Sequence, residues 1–189
     1  MATTLKHIVE AFTALFEALH DPQFRKTTSL SVVSERKLLL PMRFYLLGWF
    51  GRESFQAEHT VVFPWTKGGK GRVDFCIDGV AVEVAVRTSG GSKSNLCSTV
   101  NRPEIVKLMK HHGRAMLVLF DFSREPLSTE DLQLFRKLPA LEGEHHLTAF
   151  HLCYFNEQLG KIRVDQGWQS SHYEPFKMRI MTHKSPSSS

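Results

Sequence analysis

Cysteine is scarce in this chain, and the three present, Cys76, Cys97 and Cys153, are an odd number with no metal-ligand spacing. Neither a disulfide framework nor a zinc cluster therefore organises the fold, and Cys76 reads as a small buried hydrophobe rather than a reactive thiol. No apolar run approaches the length of a membrane span. The opening Met1-Ala2-Thr3-Thr4-Leu5-Lys6 does not resemble a secretory leader, so a soluble, cytoplasmic protein with no membrane partner is expected. Several catalytic signatures are missing too. Ten histidines include no His-Glu-x-x-His, and there is no Gly-x-Ser-x-Gly elbow and no Walker A loop. His111-His112 and His145-His146 fall at segment ends and read as surface residues.

What is present suits one folded domain. The 189 residues are 42% hydrophobic and 23% charged, which excludes wholesale disorder. A single domain over residues 1–183 is expected, with a core over about 30–122 and a flexible tail at 184–189. The formal charge of +5 is compatible with a polyanionic partner. No internal repeat is visible.

Leu5, Ile8, Val9, Phe12, Leu15, Phe16 and Leu19 recur at helical spacing over residues 4–20, behind Thr3 or Thr4 as cap and before Asp21-Pro22 as stop. The polar face is not lysine-rich, which disfavours a membrane-surface role. A second helical stretch over 30–50 aligns Glu35, Leu38, Leu39, Met42, Leu46 and Trp49, and Pro41 implies a kink or restart. Ser54–Phe63 reads as a strand. Residues 99–112 read as a helix, and the apolar run within 114–122 as a strand buried on both faces. A short helix over 128–138, a strand over 147–155 and an edge partner at Ile162–Val164 complete the order.

Arg72 to Arg87 is the organising stretch. Asp78-Gly79 between two alternating apolar runs is a strong signal for a two-residue hairpin. That turn pairs Ile77 with Val80, Phe75 with Val82, Asp74 with Glu83, and Arg72 with Ala85. Alternation gives one apolar face of Val73, Phe75, Ile77, Val80, Val82, Val84 and Val86. The opposite face carries Arg72, Asp74, Cys76, Ala81, Glu83, Ala85 and Arg87. Opposed acids disfavour a hairpin, so Asp74 and Glu83 call for a counter-charge, and a divalent cation such as Mg2+ is the simplest one.

This pattern resembles the PD-(D/E)XK nuclease superfamily, in which an Asp on one strand and a (D/E)-x-K triplet on the next gather metal beside the scissile phosphate. Asp74 matches the motif Asp, Glu83 the motif acid and Val84 the free position, while Val73 replaces the common Pro. Ala85 stands where the motif has Lys, a residue understood to orient the attacking water and offset charge. Three readings of Ala85 stay open: a deliberate Lys-to-Ala change, a native residue of a degenerate homologue, or a lysine moved elsewhere, with Lys93 the best placed.

The resemblance implies an α/β, restriction-endonuclease-like fold with a central mixed β-sheet flanked by helices. It implies a Mg2+-dependent DNA endonuclease, with Mn2+ as a substitute metal, cutting poorly with Ala85 in place. Glu35 matches the helix acid that often joins such a metal site, and its plainer role is a first-turn charge behind Ser34. The glycine-containing segments around Lys67, Lys70 and Arg72, and around Arg87 and Lys93, leave the same end of the sheet as two basic loops suited to phosphate contact. A non-catalytic DNA-binding or scaffolding subunit of a defence, repair or recombination complex is the alternative. A homodimer is compatible with either.

Overall fold

The alternating valines of the hairpin and the continuous apolar run of residues 115–120 dictate a sheet with both faces covered. The computed structural model describes residues 3–62, 70–88, 107–108, 111, 113–133, 150–158, 161–169 and 179–183. Strands β1 (Phe55–Val62), β2 (Lys70–Ile77), β3 (Val80–Arg87), β4 (Ala115–Asp121), β5 (Phe150–Gln158), β6 (Lys161–Gln169) and β7 (Arg179–His183) form one mixed sheet in sequence order. β1, β2 and β3 are antiparallel neighbours, β3–β4 and β4–β5 are parallel, and β5, β6 and β7 are again antiparallel. Parallel neighbours need a crossover rather than a tight turn. The helical residues Lys107 and Leu108 lie in the first crossover, and the short helix α4 (Thr129–Gln133) lies in the second.

The amino-terminal helices are α1 (Leu5–Leu19), α2 (Pro22–Thr27) and α3 (Glu35–Phe50). The Thr4 hydroxyl caps α1 by accepting the His7 N–H at 3.3 Å. Asp21-Pro22, expected only as a stop, also starts α2: the Asp21 carboxylate accepts the Gln23 N–H at 2.8 Å and Pro22 takes the first helical position. The second helical stretch divides before Ser34, where a single 3-10 turn (Leu30–Val32) precedes α3, and α3 then runs on through Pro41. Ser128 and Asp131 form a reciprocal capping box on α4, with N–H donations at 2.9 and 3.1 Å.

Two cores sandwich the sheet. On the first face, Phe75, Ile77, Val82, Val84, Val118, Phe120 and Phe155 pack beneath α1 and α3, which contribute Phe12, Phe16, Leu38 and Met42. On the second face, Val73, Ala81, Ala85, Leu117, Leu119, Leu152 and Tyr154 pack with Leu108, Leu127 and Leu132. On β3 the second face expected of the hairpin, Ala81, Glu83, Ala85 and Arg87, is thus itself a buried surface. At the turn, Asp78 and Gly79 take φ of 46° and 77°, the left-handed pair that a two-residue hairpin requires. β6 far exceeds the expected Ile162–Val164, and β7 lies in a stretch with no clear alternation. The expected helix over 99–112 is described at residues 107, 108 and 111 alone. Residues 134–138, 147–149 and the tail 184–189 lie outside the described residues.

A polar network ties the carboxyl ends of β3, β4 and β5. Arg87 Nη1 donates to Asp121 Oδ2 at 2.8 Å, and the Tyr154 hydroxyl donates to the same oxygen at 2.6 Å. Leu127 N–H donates to the Tyr154 hydroxyl at 2.8 Å, and Asn156 Nδ2 donates to the Asp121 carbonyl at 3.0 Å. Arg87 and Asp121 are 4% and 1% exposed. Asp121→Ala strands a buried guanidinium and is expected to cost roughly 3–5 kcal/mol, lowering Tm by on the order of 10 °C. Calorimetry checks this, and a variant within about 1 kcal/mol of wild type would show the network to be dispensable.

Candidate active site

The hairpin ladder runs Ile77 to Val80, Cys76 to Ala81 and Phe75 to Val82, and there it stops. One step further, a regular ladder would send the Val84 N–H to the Val73 carbonyl. Instead the Val84 N–H donates to Asp74 Oδ2 at 2.8 Å. A side-chain oxygen has displaced a backbone carbonyl, so β2 peels from β3 at the acid. The β1–β2 register also skips one pair at this level, Glu58 with Asp74, and Glu58 adopts φ 49°. Such a conformation in a non-glycine residue costs about 1–3 kcal/mol and tends to mark functional sites. Val73 follows the twist and packs in the second core, not with Phe75 in the first as strict alternation requires.

The expected backbone pairing of Asp74 with Glu83 and of Arg72 with Ala85 is therefore corrected, while the two acids still meet through their side chains. Their carboxyl groups hydrogen-bond each other. Glu83 is 2% exposed, and burial first and the Asp74 charge second push its pKa up to about 8. Lys107 opposes that shift: its ammonium contacts Glu83 Oε1 and donates to the Arg72 carbonyl at 3.1 Å. Two carboxyl groups in hydrogen-bond contact hold a proton where a cation can replace it. Asp74, Glu83 and water fit Mg2+, which takes one or two carboxylates and keeps several waters.

The other expected site residues fall out differently. Glu35 opens α3 and is exposed, where the helix N-terminus favours its charge. Among the described residues no group of three or more His, Cys, Asp or Glu converges, so Glu35 is not brought into a three-acid cluster. Ala85 is 3% exposed within the second core. Lys70 and Arg72 belong to β2 rather than to a loop, and exposed Arg72 pairs loosely with Glu58 at 3.5 Å. Arg87 is a correction: it ends β3, is buried, and is held by Asp121, so it does not face a phosphate. Lys67 and Lys93 lie outside the described residues.

Sequence reasoning missed Lys107, because no local pattern connects a lysine in the expected 99–112 helix to Glu83. It also missed a cleft of about 720 Å³ at the carboxyl ends of β4 and β5, lined by His20, Arg25, Ser29, Ser123, Arg124 and Glu157 among others. Arg25 and His20 share Glu157 there, at 3.5 and 3.2 Å. Compared with protein-family models, with curated proteins and with solved structures, the chain matches none.

The raised pKa of Glu83 has a signed consequence for stability. Its contribution is fully present below the ordinary value of 4.5 and is lost as pH rises through about 8. The metal-free chain is therefore expected to lose stability across that window relative to Glu83→Gln. Urea denaturation at stepped pH measures the difference, and a wild-type-minus-variant value that stays flat would refute it.

Proposed function

We propose that the chain is a Mg2+-dependent endonuclease of the restriction-endonuclease-like type, hydrolysing DNA phosphodiester bonds at Asp74 and Glu83. The observation that carries this reading is the contact of two carboxyl groups, one of them buried, at the point where β2 leaves β3. Element order supports it as well: a helix, three antiparallel strands, a crossover and a parallel strand run from Glu35 to Asp121. A phosphodiester adds negative charge to a site that is already acidic, so a cation must accompany it. Asp74 and Glu83 would hold such an ion, which would lower the pKa of a bound water and offset charge growing on the phosphate.

The chain's own groups prepare that site. The Val84 N–H fixes the Asp74 carboxylate, and the surrounding strands hold Glu83 away from bulk water, where charge interactions are strong. Exposed Arg72, on the strand bearing Asp74, offers a phosphate contact beside the acids. Manganese is expected to substitute for magnesium.

The test is cleavage of plasmid and linear DNA by the purified chain with Mg2+ or Mn2+, beside Asp74→Asn and Glu83→Gln. Each substitution should slow cleavage by at least about 10²-fold, the scale of losing one charge-stabilising group. Cleavage that persists in both variants would trace the activity to another site or a contaminant and sink the proposal.

A further inference from the structure

We infer that Lys107 supplies, from the crossover after β3, the positive charge that the strand triplet Glu83-Val84-Ala85 lacks, so that the site is complete with alanine at 85. This inference rests on the nuclease reading of the same acids. It arises from three placements. The Lys107 ammonium contacts Glu83 Oε1, the buried acid of the pair. It also donates to the Arg72 carbonyl at 3.1 Å, so it spans from β3 to β2 where those strands have parted. Leu108, the next residue, is fully buried in the cluster that contains Ala85 and Val73.

These placements explain one another. Leu108 anchors its helical turn in the core cluster that also holds Ala85, and that burial sets the Lys107 stem over the acid pair. His111 N–H donates to the Lys107 carbonyl at 3.1 Å, which fixes the turn on its other side. Lysine at 85 would have to drive a long chain into a region where Leu108, Leu117 and Leu119 already pack, and close-packed cores resist added methylenes. Alanine at 85 and lysine at 107 are thus two halves of one arrangement. Lys107 is 28% exposed at its side chain, so it can meet an incoming anion while remaining on Glu83. It acts as a positioning residue, holding Glu83 and a positive charge at one point.

Lys107→Met and Ala85→Lys test this, each assayed for DNA cleavage and, by calorimetry, for Mn2+ affinity in the absence of DNA. Lys107→Met should cut about 10²-fold more slowly while binding Mn2+ as tightly as wild type or up to roughly tenfold more tightly, since a competing charge on Glu83 is gone. A merely structural lysine would weaken metal binding and cleavage together. Ala85→Lys should bring no gain. Cleavage at the wild-type rate by Lys107→Met, or weakened Mn2+ binding in that variant, overturns the inference and leaves the nuclease reading standing. A wild type that binds Mn2+ without cutting, together with an Ala85→Lys variant that cuts, also overturns it and assigns the lysine to position 85. Failure of both wild type and Ala85→Lys to cut removes the nuclease reading itself, and this one with it.

Discussion

An aspartate oxygen occupying the place of a backbone carbonyl governs the centre of this molecule. Had Val84 bonded to Val73, the hairpin would continue as a regular ladder with two acids on a flat surface. Because the Val84 N–H goes to Asp74 instead, β2 leaves β3, Val73 turns into the second core, and the Asp74 carboxyl lies against Glu83. Burial then removes the water that would screen two like charges. Something cationic must stand at that point, whether a proton, a lysine or a metal ion.

The second face of the sheet holds two polar clusters of different character. At the end of the parallel strands, Arg87 and Tyr154 both donate to Asp121, and the Leu127 amide donates to Tyr154, within a buried setting. That cluster holds a positive and a negative charge in balance, and its geometry is that of a scaffold. Closer to the hairpin turn, Asp74 and Glu83 set two carboxyl groups against a single lysine. Ala85 sits between the clusters on β3, and its small side chain leaves room for the crossover residues to dock. The contrast between a balanced pair and an acid-rich one is the physical basis for placing chemistry at the second cluster.

Much of this architecture was legible in the chain itself. The Asp78-Gly79 turn, the acid-bearing strands and the doubly buried β4 follow from short-range alternation and turn chemistry, which act over a few residues. That the two acids lie near each other was legible from the same turn, but the backbone pairing it implied was not the one adopted, and they meet through their side chains instead. What could not be read depends on contacts remote in sequence. Arg87 resembled a loop cation until Asp121, brought alongside by a parallel pairing, claimed its guanidinium. Lys107 resembled a solvated helix residue until the crossover laid it across Glu83. The break in the ladder at Asp74 was hidden because a side chain and a carbonyl compete for the same amide with no mark in the local pattern.

Glu58 gives the fold a property beyond its place near the acids. β1 is the first strand of the sheet, with one neighbour among the described strands. An uninterrupted outer edge offers unpaired amides and carbonyls to any passing extended chain. The left-handed residue at the middle of β1 breaks that row, and its charged side chain stands 73% exposed beside it. A second sheet pairing along β1 would meet this break at its middle. The conformation that marks the neighbourhood of the acid pair also interrupts one of the two edges of the described sheet.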